Sequence, residues 1–227
     1  MQKGITLVEI LITIGIIGVV STLTIPSLYA AYKKHETISK LKEAYSIFQQ
    51  AVKLSIVDND DISGWNLSTA DIINSSDCRR IAETYFLPYM SGTYRTNKSY
   101  EMKTLGTDNL KFLYWDKNSL FQMKNGMIFS VGAYYGNMRV TVDLNGISMP
   151  NRLGIDGFVF ELNKTKNNIQ FYGENESDSR LLYPVSGLGG ECKRGTNMQY
   201  YTGAYCGALI KRNNWSITKI YPWANGN

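Results

Sequence analysis

The sequence predicts an α+β fold in which one long N-terminal helix packs on an antiparallel sheet. Three observations lead to this prediction. The 23 residues from Ile10 to Tyr32 carry no charge. After Lys33 the pattern becomes one-sided, with apolar residues recurring at spacings of three and four. From about Tyr94, short segments rich in aromatic and β-branched residues alternate with turn residues, as the strands of a sheet do.

The uncharged run and the one-sided pattern together predict a single helix from Ile5 to about Val57. At 1.5 Å per residue it would be about 80 Å long. About 20 apolar residues suffice to cross a bilayer, so the first half is predicted to span a membrane. The second half would bury one stripe against a domain: Ile38, Leu41, Tyr45, Phe48, Val52 and Ile56. Pro26 lacks an amide hydrogen and is expected to kink or loosen the helix.

The remaining predicted elements are short. A helix is expected from Asp77 to Phe86, with Asp77 as its N-cap and Pro88 ending it. The pair Asn125-Gly126 is typical of a tight hairpin turn. The segment from Cys206 to Trp223 is predicted to begin as a short helix or strand and to become extended at Trp215–Thr218. Strands are predicted at Leu110–Tyr114, Ser119–Met123, Met127–Val131, Met138–Leu144, Phe158–Leu162 and Ile169–Tyr172.

The N-terminus combines a short basic leader with a carboxylate inside an apolar helix. Lys3 and Gly4 precede the apolar run, and Glu9 lies one turn into it. Carboxylates within membrane helices are rare and usually paired. A secretory signal peptide would have a shorter apolar core followed by a small-residue cleavage site. Here the apolar run is longer and continues into a charged helix, which leaves an ordinary signal anchor as the alternative interpretation.

These residues resemble the prepilin signal of type IV pilins and of the pseudopilins of type II secretion. That signal has a basic leader, a glycine at the cleavage site, an apolar first mature residue and then Thr-Leu-x-Glu. The matching residues are Lys3, Gly4, Ile5, Thr6, Leu7 and Glu9. Ile5 departs from the phenylalanine most common there, and Pro26 falls where many pilins carry a helix proline. The resemblance is close over about the first 35 residues and looser beyond, where the predicted architecture is similar to the pilin fold.

The resemblance implies a division of the chain and a set of partners. Residues 1–4 would be a leader removed by a prepilin peptidase, which cuts between Gly4 and Ile5. Residues 5–32 would form the membrane and assembly helix, and residues 33–227 a periplasmic or extracellular domain. The new amine of Ile5, on the same or a neighbouring subunit, would neutralise Glu9 and set the subunit register. The further partners would be an inner-membrane assembly platform and identical or related subunits.

The chain contains three cysteines. Cys192 and Cys206 bracket a loop rich in Gly and Tyr, and we interpret them as a disulfide worth about 3 kcal/mol in the chain-entropy model. Such a bond indicates an oxidising compartment. Cys78 would then be a free, buried thiol. Pairing through Cys78 stays open as the alternative, because spacing alone does not determine connectivity.

One segment is dense in oxygen ligands. It begins with Asp143-Leu144-Asn145-Gly146 and continues to Asn151 and Asp156. Alternating Asp-x-Asn-Gly is how calcium loops bring oxygens onto one point, which makes Asp143, Asn145, Asn151 and Asp156 candidate calcium ligands. The segment is not an EF-hand, since no Glu lies at the twelfth position and two carboxylates are few. The alternative is an Asx-turn loop without a metal, and no other cofactor is predicted.

The sequence favours a structural role over catalysis. It contains no Gly-x-Ser-x-Gly motif and no phosphate loop, and the single histidine is His35, at the end of the membrane segment. The net charge is +5 with basic residues spread along the chain, so no specific nucleic-acid binding is indicated. We therefore predict a subunit of a pilus or secretion pseudopilus. The alternative is an adhesin for glycan or DNA carried on a pilin-like anchor, with Tyr134-Tyr135 and Tyr200-Tyr201 as stacking surfaces.

Overall fold

One long helix and one six-stranded sheet form the architecture in the computed structural model. It describes residue 4 and residues 6–67, 75–96, 100–106, 120–134, 137–183, 190–193 and 201–222. The helices are α1 (Leu7–Asn59), α2 (Ser75–Tyr85), α3 (Asp178–Leu182) and α4 (Cys206–Arg212), with 3₁₀ turns at Ile62–Gly64 and Leu87–Tyr89. The predicted α+β class, a long N-terminal helix on an antiparallel sheet, is confirmed.

The sheet is a simple antiparallel meander in which every strand pairs with its neighbour in sequence. Its strands are β1 (Tyr94–Arg95), β2 (Leu120–Gln122), β3 (Ile128–Tyr134), β4 (Asn137–Asp143), β5 (Gly157–Asn163) and β6 (Asn168–Phe171). The Asn125-Gly126 turn joins β2 to β3, where the Met123 carbonyl accepts from the Gly126 amide at 2.9 Å. The predicted strand Leu110–Tyr114 lies outside the described residues.

Helix α1 starts and ends two residues later than predicted, and its two halves have different surroundings. It runs through Pro26 without interruption, and the predicted kink or loosening there stays a prediction. Every side chain from Leu7 to Tyr32 is exposed apart from the half-buried Ser21. This first half is long and apolar enough to cross a membrane.

The second half of α1 supplies the centre of the core. Phe48 lies between the helix and the sheet, with ring centroids 5.2 Å from Phe129 on β3 and 5.4 Å from Phe160 on β5. Tyr45 stacks on Phe171 of β6 at 5.1 Å. Burial of an aromatic or aliphatic side chain of this size contributes about 1.5–3 kcal/mol. The fully buried residues of the helix are Leu41, Ala44, Phe48, Ala51, Val52 and Ser55.

Two local predictions need correction. Helix α2 begins at Ser75, so Asp77 lies within its first turn and is not its N-cap. Trp215 is not extended, because Asn214 and Trp215 both adopt left-handed backbone angles, with φ of 53° and 58°. Of the two alternatives predicted for the segment that begins at Cys206, helix and strand, the structure has the helix.

A fragment of residues 34–227 should fold without the apolar half of α1. The side chains from Leu7 to Tyr32 are not buried against the domain, so their removal exposes no core residue. We expect a monomer in size-exclusion chromatography and a single cooperative transition in thermal unfolding. Aggregation or a broad, non-cooperative transition would show that the apolar half is needed for folding.

Gly207→Ala should destabilise the domain even though it lies in α4. Alanine normally favours a helix by about 1 kcal/mol over glycine. Here its Cβ would stand 2.7 Å from Cε1 of Phe171, so the ring or α4 must shift. We expect the free energy of unfolding to fall by about 1–3 kcal/mol, measured by chemical unfolding followed by tryptophan fluorescence.

The matched control is Gly64→Ala, where an added Cβ meets no atom within 4 Å. It should leave the unfolding midpoint close to that of the parent chain. A Gly207→Ala variant as stable as this control would contradict the close approach of α4 to the sheet.

Candidate functional site

The start of α1 is held by a reciprocal cap between Thr6 and Glu9. The Thr6 amide and hydroxyl each donate to Glu9 Oε2 at 2.8 Å, and the Glu9 amide donates to Thr6 Oγ1 at 3.3 Å. This is a capping box, which satisfies two donors of the first helical turn. The sequence singled out Thr6 only as part of the N-terminal motif, and its capping role was not predicted. The Thr-x-x-Glu spacing itself was the signal that could have found it.

The cap gives Glu9 hydrogen bonds but no counter-charge. Among the described residues, no Lys or Arg forms an ion pair with its carboxylate. Gly4 is exposed, and a Cβ built on it would meet no atom within 4 Å. Ile5 lies outside the described residues. Pro26 is about 25 Å further along the helix, so the structure does not bring it together with Glu9.

A second cluster lies where β4 ends and β5 begins. Asp143 is the last residue of β4 and pairs with Gly157, the first residue of β5. Asp156 therefore lies beside Asp143 at the same end of the two strands. Asp143 is fully buried and Asp156 is 6% exposed. The Asp143 carboxylate accepts from the Asn145 amide at 3.0 Å and from the Tyr100 hydroxyl.

Asp156 organises the other side of this cluster. Its carboxylate accepts from the backbone amides of Asn151, at 2.9 Å, and Arg152, at 2.6 Å. It also accepts from the side-chain amide of Asn145 at 3.2 Å. The structure therefore brings together all four residues that the sequence proposed as calcium ligands. It adds Tyr100, which lies 43 residues before Asp143 and carried no sequence signal.

The two carboxylates of this cluster perturb each other. Burial, and then the charge of Asp156, raise the pKa of Asp143 to about 8. Burial raises the pKa of Asp156 as well. The pKa of Tyr100 is raised by burial and by the neighbouring Asp143 carboxylate. No Lys or Arg in the described part of the chain forms an ion pair with either Asp.

Two amide oxygens in the same loop are left without a donor. Asn145 Oδ1 and Asn151 Oδ1 are buried and accept no hydrogen bond from the described residues. An orphaned buried acceptor normally costs about 1–3 kcal/mol. With the carboxylates of Asp143 and Asp156 they form a set of hard oxygen atoms, which is the donor chemistry that Ca²⁺ takes. Among the described residues, no group of three or more His, Cys, Asp or Glu side chains is placed to hold a metal ion, and the calcium site stays a prediction.

The cysteines pair as the sequence predicted, across the Gly- and Tyr-rich loop between Cys192 and Cys206. Cys192 and Cys206 form a disulfide, and Cys78 is buried and takes no part in it. Cys206 is also the first residue of α4, so the bond anchors that helix to the segment before it. Of the tyrosines considered as stacking surfaces, Tyr135 and Tyr200 lie outside the described residues. The ring of Tyr201 lies 5.9 Å from the buried Arg139 guanidinium.

Comparison with known proteins adds one relationship. No curated protein and no solved structure matches the chain. A family of unknown function, DUF6613, matches residues 27–224, which include the whole sheet and the carboxylate cluster but not Gly4, Glu9 or Pro26. Because this match covers well over half of the sequence, the chain belongs to the family of unknown function DUF6613.

Proposed function

We propose that the chain is a structural subunit of a type IV pilus or a type II secretion pseudopilus. The observation that carries the proposal is the carboxylate of Glu9, five residues after Gly4, in front of the exposed and uncharged stretch Ile10–Tyr32 of α1. In this proposal a prepilin peptidase cuts after Gly4, and the processed subunits polymerise through α1. Catalysis has no part in it.

The exposed half of α1 supports polymerisation as well as membrane anchoring. Leu7 is 76% exposed and Leu23 is 75% exposed, and most side chains between them are exposed and apolar, with Glu9 as the one charged residue. A surface of this size is stable only in lipid or against other apolar helices. Packing with neighbouring helices would cover it when the subunit leaves the bilayer. The helix continues directly into the domain. Assembly of the apolar halves would therefore arrange the domains around the outside of the packed helices.

The charge of Glu9 supports a specific register in such an assembly. Apolar helices pack against each other without a specific contact that would fix one axial offset between neighbours. The hydrogen bonds from Thr6 leave the charge itself uncompensated. Cleavage after Gly4 would create an amine on Ile5, and this amine on a neighbouring subunit would compensate the carboxylate at one offset only. A buried charge that loses its partner is costly, so wrong offsets would be disfavoured.

The domain supports a location outside the cytoplasm. Disulfides such as Cys192–Cys206 persist in oxidising compartments. We therefore place α1 in the cytoplasmic membrane as a single pass, with the domain in the periplasm or outside the cell. The partners of the proposal are the peptidase, an inner-membrane assembly platform and identical or related subunits.

The mature chain should begin at Ile5. Mass spectrometry of the protein from its native host should show the loss of residues 1–4, with one added methyl group. Gly4→Phe should leave the precursor uncut in the membrane, whereas Gly15→Ala should be processed normally. An intact Met1 in assembled filaments would remove the main support for the proposal.

Glu9→Gln should abolish or disorder filaments without affecting membrane insertion. Glutamine also fits the capping box, so this variant keeps the cap and removes only the charge. Removal of a charge favours insertion, and we expect a normal amount of processed protein in the membrane. The measurement is filament abundance and regularity by electron microscopy. Filaments equal to those of the parent chain would contradict the charge-pair account.

Two control variants separate the effect of the Glu9 charge on filaments from the effects of the cap and of side-chain polarity in general. Thr13→Val removes a hydroxyl one turn further on, which donates only to the Ile10 carbonyl, and should leave filaments intact. Thr6→Ala removes the cap at a cost of about 1 kcal/mol but keeps the charge. Filament loss in Thr6→Ala as complete as in Glu9→Gln would assign the effect to the cap.

A further inference from the structure

We infer that α1 binds the headgroup of an anionic phospholipid at the point where the helix leaves the membrane. The side chains that make this contact, which we call the collar, are Tyr29, Tyr32 and Lys33. The inference rests on one part of the proposed function, the location of the first half of α1 in a membrane. It does not depend on processing by a peptidase or on polymerisation.

The length of the apolar segment places the collar at the membrane surface. The hydrocarbon core of a bilayer is about 30 Å thick, which a helix crosses in about 20 residues. Tyr29 lies 20 residues after Glu9, the one charged side chain between Ile5 and Tyr32. When the Glu9 carboxylate lies at one surface of the hydrocarbon core, Tyr29 therefore lies at the other. Tyr32 and Lys33 then lie about 5 Å further out, among the headgroups.

The collar residues lie on one face of α1 and are open to a ligand. They are spaced three and four residues apart along the helix, so their side chains are neighbours on its surface. Tyr29 is 59% exposed and Tyr32 is 60% exposed. The Lys33 ammonium lies 5.7 Å from the centroid of the Tyr29 ring. Tyrosines are enriched at membrane surfaces, where the ring contacts apolar chains and the hydroxyl reaches polar groups.

One glutamate on the same face pairs with two lysines. Lys33 Nζ donates to Glu36 Oε2 at 2.9 Å, and Lys40 Nζ lies 3.1 Å from Glu36 Oε1. The hydrogen bonds from Lys33 and then Lys40 lower the pKa of Glu36, so the carboxylate is ionised at neutral pH. The three side chains together carry one net positive charge, and the adjacent Lys34 adds a second. An ammonium group has three donors, and the bond to Glu36 uses one of those of Lys33.

A lipid phosphate matches this combination of depth, charge and hydrogen-bond donors. A zwitterionic headgroup carries its own cation beside the phosphate, whereas an anionic headgroup has a net negative charge that the lysines can compensate. One basic residue near an anionic membrane surface strengthens binding about fivefold. Lys40 acts as a positioning residue, since without it Glu36 would neutralise Lys33 alone. The structure therefore favours an anionic phospholipid over a zwitterionic one.

The test measures which lipid is enriched beside the collar. The full chain with Leu28→Trp is reconstituted in vesicles of equal amounts of phosphatidylglycerol and phosphatidylcholine, with bromine on the acyl chains of one lipid or the other. Bromine quenches a tryptophan that it contacts, so the ratio of the two quenching effects reports the local lipid composition. The parent chain gives the signal of its four natural tryptophans, which is subtracted. We expect phosphatidylglycerol to be preferred about fivefold or more.

Three lysine variants in the same reporter chain assign the site. Lys33→Gln should lower the preference for phosphatidylglycerol by up to about fivefold. Lys40→Gln should lower it by a similar factor, although Lys40 lies about 10 Å further along the helix, because Glu36 then neutralises Lys33. Lys53→Gln is the matched control, since Lys53 is an exposed lysine of α1 about 30 Å beyond Lys33, and it should leave the preference unchanged. A preference that persists in both Lys33→Gln and Lys40→Gln would overturn the inference.

A second reporter separates failure of this inference from failure of the proposed function. Val19 lies midway between Glu9 and Tyr29, so Val19→Trp should be quenched most by bromine placed deep in the acyl chains. If neither brominated lipid quenches it, α1 does not enter the membrane, and the proposed function fails together with the inference. If it is quenched while both lipids quench Leu28→Trp equally, the inference alone is overturned.

Discussion

The packing of one stripe of α1 on the sheet is the interaction on which the rest of the structure depends. Phe48 contacts rings of β3 and β5, and Tyr45 contacts β6, so a single helix face holds together strands that are distant in sequence. The same helix continues without interruption into an apolar half whose side chains are exposed from Leu7 to Tyr32, apart from the half-buried Ser21.

Carboxylates lie at two places in the chain where an ionised group is energetically unfavourable, and their surroundings differ. Glu9 is exposed on an apolar helix and is held by the cap from Thr6, which supplies hydrogen bonds at the helix start. Asp143 and Asp156 are buried side by side and receive hydrogen bonds from neutral groups of their own loop. In both places the hydrogen bonds come from neutral groups, and no Lys or Arg among the described residues forms an ion pair with the carboxylate. For Glu9, our proposal names the amine of a neighbouring subunit as the partner.

Local sequence signals predicted the elements well where they act over a few residues. The stripe of α1, the Asn125-Gly126 turn and the paired strands follow from periodicity and turn chemistry, and so does the fold class. A prediction from neighbouring residues was wrong where more than one residue could take the same position, as at the start of α2. Asp77 has the chemistry of an N-cap, yet α2 begins at Ser75.

The sequence by itself determined which segment is apolar, which helix face is buried, which N-terminal residues resemble a prepilin signal and which four oxygen-bearing residues share one loop. These follow from spacing along the chain, which secondary structure converts directly into a shared face or loop. Only the tertiary structure decided that Tyr100 joins Asp143, that Asn145 and Asn151 keep unpartnered oxygens, and that Gly207 must lie against Phe171. Contacts of this kind depend on how distant segments pack, and packing is set by the shape of the whole core.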